Sequence, residues 1–187
     1  LLGDRIRMNS VYSDNIYLHS LATRGEKGGI SDALGDTLFV LKEAGFDLIL
    51  VETSGTGQSD SEIVSFCDFT IYVMTSDFGA PSQLEKIEML EHANMVVINK
   101  FDRKGSSDAQ REVRKQYQRN QNLFELPLTE MPVFGTIASS FNDPGVNLFY
   151  ENLVLMLKEK NNFNLNFLEN ESLTAKEPAS SSLIPAS

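Results

Sequence analysis

The stretch "MVVINKFDRKGSSDAQREVRKQYQR", residues 95–119, holds the pattern that decides the fold. Its first five residues form a short β-rich apolar run of the kind that fills a strand buried on both faces. Its last thirteen, "SDAQREVRKQYQR", place Ala109, Val113 and Tyr117 at i, i+4, i+8, one face of a helix. A strand followed by a turn and an amphipathic helix is half of a βαβ unit.

The same alternation extends outward on both sides. "FDLILVE" (46–52), "FTIYVMT" (69–75) and "MPVFGTI" (131–137) read as further strands buried on both faces. Between them, "PSQLEKIEMLEHA" predicts a helix with Leu84, Ile87 and Leu90 on one face. Upstream, Ser31 is placed to cap a helix in which Leu34, Leu38 and Leu41 recur at i, i+4, i+7, with Gly45 ending it. Downstream, Asp143 and Pro144 start a last helix that turns Val146, Phe149, Leu153 and Leu157 inward. Strands alternating with helices of this length imply right-handed βαβ units on a mostly parallel α/β sheet flanked by helices. Residues 161–187, rich in Asn, Ser and Glu, read as a linker toward a downstream domain, with one short docked turn at Phe163–Leu168. No internal repeat is visible.

Composition narrows the function. A chain of 187 residues suits one domain, and its net charge of −10 argues against a nucleic-acid or anionic-membrane surface. The single cysteine, Cys67, excludes an internal disulfide, fits a reducing cytoplasmic setting, and lies in an apolar context that predicts a buried structural thiol. His19 and His92 are too isolated for a metal cluster. No signal-peptide or transmembrane run is present, and both ends read as cut from a longer chain.

The chemistry-bearing residues fall at the carboxyl ends of the expected strands, where open α/β sheets bind ligands. "INKFD" (98–102) closes a strand with Asn-Lys-x-Asp, the guanine-reading element of GTP-binding proteins. One carboxylate, Asp102, can accept parallel hydrogen bonds from the ring NH and exocyclic amine of guanine, and adenine offers no such pair of donors. Lys100 can lie along the base, and Asn99 can pin neighbouring loops. Behind the last strand, the backbone NH of Ala138 is placed to meet the guanine carbonyl oxygen.

Upstream, "VETSGTGQSD" carries an acid from a strand end into a glycine-punctuated loop. Glu52 and Thr53 are candidate Mg²⁺ ligands, Gly55 a candidate γ-phosphate donor, and Gln58 a candidate for orienting the attacking water. In "GDRIRMN", Asp4 is a further Mg²⁺ candidate, and Arg7, beside Arg5, would neutralise charge on the transferred phosphoryl group. Arg24 is a weaker phosphate candidate. Read without other context, Asp4, Arg5 and Arg7 equally suit an exposed charged strand edge.

Taken with "SLATRG", "FGAPSQLEKIEMLEHA" and "FGTIASSFNDPGVN", these stretches resemble the GTPase chaperones of adenosylcobalamin-dependent acyl-CoA mutases over residues 1 to about 157. The wording is nearer to the form fused within isobutyryl-CoA mutases than to free-standing methylmalonyl-CoA mutase-associated GTPases. The resemblance implies a P-loop GTPase-like fold over residues 1–160, truncated at the N-terminus, because the phosphate loop of such proteins precedes the segment matching Leu1. It also implies Mg²⁺ at Asp4, Glu52 and Thr53, phosphate contact by Arg7, and guanine reading by Asn99, Lys100, Phe101 and Asp102. Loops 55–62 and 77–88 would then be switches that signal to the mutase. GTP/GDP would gate the loading and removal of adenosylcobalamin, which binds outside this segment. The implied partners are cobalamin-binding and acyl-CoA-binding mutase domains, and a homodimer is compatible with them.

Without its phosphate loop the 187-residue chain is expected to bind GTP weakly and to be nearly inactive alone. A nickel-insertion GTPase would need Cys or His at an interface, and this chain has one cysteine and two scattered histidines. A site decayed to a mere interaction fragment would not keep Asp4, Glu52, Gln58 and the whole NKFD element.

Overall fold

The computed structural model describes residues 12–22, 30–53 and 61–161. Residue contacts divide the chain into one unit ending at Phe149 and another beginning at Tyr150. The first contains a parallel sheet of three strands, β1 (Ile71–Thr75), β2 (Met95–Asn99) and β3 (Val133–Thr136), in the order β1-β2-β3. Thr75 stands level with Asn99, and Asn99 with Thr136, so three strand ends finish side by side. Three of the four expected strands therefore form.

The fourth does not. "FDLILVE" makes no strand among the described residues, and Leu48 (51% exposed) and Leu50 (83%) face outward. Ile49 and Val51 turn inward, against a small cluster around Leu34, Leu38 and Ile63. A run of apolar residues cannot distinguish two-sided burial from one-sided burial, and a strand exists only where a neighbour completes its ladder.

Helix α1 (Leu34–Glu43) buries Leu34 and Leu38 and ends where Gly45 takes φ +80°, as the sequence suggests. Ser31 does not cap it directly. Its Oγ accepts from Ala33 N–H at 3.4 Å and its carbonyl from Leu34 N–H at 2.9 Å, which makes it the organiser of the preceding turn. The "PSQLEKIEMLEHA" helix is broken into α2 (Pro81–Leu84) and α3 (Met89–His92). Between them Ile87 N–H bonds Leu84 O at 3.1 Å, and Leu90 N–H bonds Ile87 O at 3.1 Å. These i→i−3 bonds have a period of three, which aligns Leu84, Ile87 and Leu90 on one side, and all three are buried.

Helix α4 (Ser106–Asn120) buries Ala109, Val113 and Tyr117 as its spacing predicts. With α2 and α3 it covers one face of the sheet, joining Met74, Val96, Ile98 and Val133 in the main core. Two α4 side chains also reach the rim of the sheet: Gln110 Nε2 and Arg114 NH2 donate to Val133 O at 3.0 and 3.2 Å. Burial makes the Arg114 guanidinium easier to deprotonate than usual.

Helix α5 (Pro144–Asn161) starts at Asp143 as expected. The Asp143 Oδ2 accepts from Val146 N–H at 2.9 Å, an N-cap, and from Ile137 N–H at 3.1 Å. On the second face of the sheet, Phe134 meets Phe149 edge to face at 5.9 Å. The helix passes into the second unit at Tyr150, whose described part is helical to Asn161; the turn expected at Phe163–Leu168 lies outside the described residues. Cys67 is half-buried, not buried, at the edge of the small cluster. Among the described residues no helix is long and apolar enough to cross a membrane.

Candidate guanine nucleotide site

Asn99 is the last residue of β2, and its side chain joins two loops. Its Oδ1 accepts from Thr136 Oγ1 at 3.3 Å and from Ala138 N–H at 3.2 Å. Phe101 N–H donates to Thr136 O at 3.0 Å, so β2 and β3 continue as neighbours past their strand ends. The ring of Phe101 lies against the backbone of Gly135, where a Cβ would sit 2.4 Å from Phe101 Cδ2. A side chain at position 135 is thereby excluded. Gly145 is as closely fitted: a Cβ there would come 2.0 Å from Gly135 O.

Lys100 holds φ +57°, unusual for a residue with a side chain. That conformation turns the chain sharply at the strand end, and Arg103 N–H closes the turn on Lys100 O at 3.1 Å. The turn presents Asp102 and Lys100 exposed to solvent, while Phe101 is half-buried. An exposed carboxylate carried on a turn that is anchored at both ends can accept a pair of parallel N–H donors with little further ordering.

Asn99, Lys100, Phe101, Asp102 and Ala138 are thus brought together at the carboxyl ends of β2 and β3. The Ala138 amide was expected to face a ligand; in this structure it donates to Asn99 Oδ1, which fixes its loop. Glu52, exposed, and Thr53, half-buried, follow the Ile49–Val51 stretch that packs in the small cluster, apart from the core that holds β2. Magnesium keeps several waters and takes one or two carboxylates besides phosphate oxygens, and a solvent-facing Glu beside a Thr hydroxyl fits that donor set. No group of three or more His, Cys, Asp or Glu gathers into a metal site among the described residues. Asp4, Arg5, Arg7, Arg24, Gly55 and Gln58 lie outside the described residues.

Two features had no signal in the sequence. One is the Asp77–Arg103 ion pair, which ties the turn of residues 100–103 to the loop after β1. The other is the close fit of Gly135 and Gly145, since a glycine in a strand or at a helix start reads equally as a bulge or a turn.

The family described as methylmalonyl Co-A mutase-associated GTPase MeaB matches residues 1–146. The chain belongs to this GTPase family. A fused isobutyryl-CoA mutase of Geobacillus kaustophilus is 57% identical over 160 residues, covering 86% of this chain and 15% of that protein. The fused isobutyryl-CoA mutase of Cupriavidus metallidurans is 56% identical over 154 residues, 82% of this chain and 14% of its own length. That of Nocardia farcinica is 49% identical over 157 residues, 84% and 15%. The chain therefore spans about one-seventh of the length of these relatives.

Proposed function

We propose that this chain is the base-reading and catalytic portion of a GTP-hydrolysing chaperone domain that gates adenosylcobalamin loading and repair in an acyl-CoA mutase. In the assembled protein the mutase reaction is the interconversion of isobutyryl-CoA and n-butyryl-CoA, carried out with cobalamin-binding and acyl-CoA-binding domains. The observation that most supports this reading is Asn99, which links the ends of β2 and β3 and so holds the Asp102 turn beside the Ala138 loop.

In the proposed site Asp102 accepts the two guanine donors, Lys100 lies along the base and Phe101 supports the turn from below. The Ala138 amide, which donates to Asn99 Oδ1 at 3.2 Å, is proposed to share its hydrogen with the guanine carbonyl oxygen. Magnesium, when bound, offsets phosphate charge; Glu52 and Thr53, with Asp4, are the residues proposed to hold it. Gly55 offers a backbone donor to the γ-phosphate, Gln58 orients water, and Arg7 stabilises charge on the transferred group.

The deciding experiment uses a protein extended upstream to include a phosphate loop. Fluorescent GDP and XDP are titrated against the parent and Asp102→Asn. Loss of GDP binding with gain of XDP binding is expected, because an amide presents a donor where the carboxylate presented an acceptor. A variant that treats both nucleotides as the parent does would refute the guanine reading.

A further inference from the structure

The turn that carries Asp102 is anchored at both ends, and only one anchor belongs to the expected motif. At the far end, Arg103 NH1 donates to Asp77 Oδ2. Asp77 lies in the single 3-10 turn Ser76–Phe78 that follows β1. Thr75 Oγ1 donates to the same Asp77 oxygen at 3.0 Å, which orients the carboxylate toward Arg103. The backbone of Arg103 is held as well: its carbonyl accepts from Ser106 Oγ at 2.8 Å and from Ser106 N–H at 3.2 Å. Just beyond, buried Gly79 lies so close to α4 that a Cβ would be 2.4 Å from Ala109 Cβ. The loop after β1 is therefore seated against the start of α4 and clasped to the turn of residues 100–103.

Resting on the guanine reading above, we propose that Arg103 and Asp77 are positioning residues for base recognition. Their pair sets the angle at which Asp102 meets the guanine edge, so the loop after β1 tunes nucleotide preference without touching the nucleotide. A carboxylate that must accept two parallel hydrogen bonds is sensitive to rotation of its turn, whereas contacts to phosphate or ribose are not.

Inosine diphosphate lacks the exocyclic amine, so the ratio of GDP to IDP affinity reports how squarely Asp102 engages guanine. In the phosphate-loop-containing protein, Arg103→Met and Asp77→Asn are each expected to lower that ratio about threefold, as befits a solvent-exposed pair, with IDP, which keeps only the ring NH, weakened less than GDP. The double variant should be no worse than either single one, because both remove the same link. Arg103→Lys, which keeps a donor, should recover part of the ratio. Both side chains are substantially exposed, so the substitutions leave the core untouched. If Asp102→Asn exchanges GDP for XDP while Arg103→Met and Asp77→Asn leave the GDP-to-IDP ratio at the parent value, the positioning role is overturned and the guanine reading stands. If Asp102→Asn makes no exchange, the guanine reading itself fails, and the positioning role with it.

Discussion

Asp143 offers the sharpest test of how the Ala138 loop is held. Its carboxylate is almost fully buried and accepts two backbone amides, one from the first turn of α5 and one from Ile137, next to Ala138. Asp143→Ala removes an N-cap, at a cost of about 0.5–2 kcal/mol. It also leaves the Ile137 amide without this acceptor, adding about 1 kcal/mol. The expected total is about 1.5–3 kcal/mol. Asp143→Asn retains an acceptor oxygen of the same reach and should cost less than about 1 kcal/mol. Urea unfolding followed by circular dichroism resolves these values: at a slope of about 2 kcal/mol per molar, the alanine midpoint should fall by about 0.75–1.5 M. Hydrogen exchange should quicken at Ile137 and Val146 in the alanine variant and hardly change in the asparagine one. Equal losses in the two variants would show that charge, not hydrogen bonding, is what Asp143 contributes, and the reasoning would be wrong.

Two other predictions follow from close contacts and burial. Gly135→Ala forces a Cβ into the Phe101 ring and should cost about 1–3 kcal/mol; adding Phe101→Leu should restore part of it, and a neutral Gly135→Ala would disprove the contact. Burial first, then the charge of Asp68, pushes the Cys67 thiol up, against a smaller opposing effect of Lys42. Alkylation by iodoacetamide should thus have its midpoint above about 8.5, the value of a free thiol. The folded state favours the protonated thiol, so its contribution to stability is complete below the ordinary thiol value and disappears as pH rises through the raised one. Burial raises Tyr72 and Tyr117 too, which extends the same loss toward higher pH. An alkylation midpoint at or below the free-thiol value would contradict this.

The sequence and the structure agree where a signal is local and periodic. Ala109, Val113 and Tyr117 mark the buried face of α4 because one helix carries all three. Asn99 to Asp102 are legible because the motif is contiguous and follows a strand. Leu84, Ile87 and Leu90 identified a buried face correctly, yet their spacing of three also suits the tighter turns that form there. Residues 46–52 misled because apolar content reports burial without saying what lies on each side. Asp77 and Arg103 are 26 residues apart, and nothing in the intervening chain announces that they meet. The partners of Asn99 could be anticipated as "neighbouring loops", but which loops they are depends on strand order, and strand order is set by tertiary packing.

The contacts of Gln110 and Arg114 with Val133 O bear on what this protein does at high concentration. Carbonyls alternate in direction along a strand: Pro132 O accepts from β2, so Val133 O points to the outer side of β3. An outward carbonyl on an edge strand is an invitation to a strand from another molecule, the first step of edge-to-edge aggregation. Here two side chains of α4 already occupy it, one of them carrying a positive charge. An incoming strand would have to displace both and leave them without partners. Among the described residues, this carbonyl on the outer side of β3 is shielded from such pairing by the same helix that lines the core beneath it.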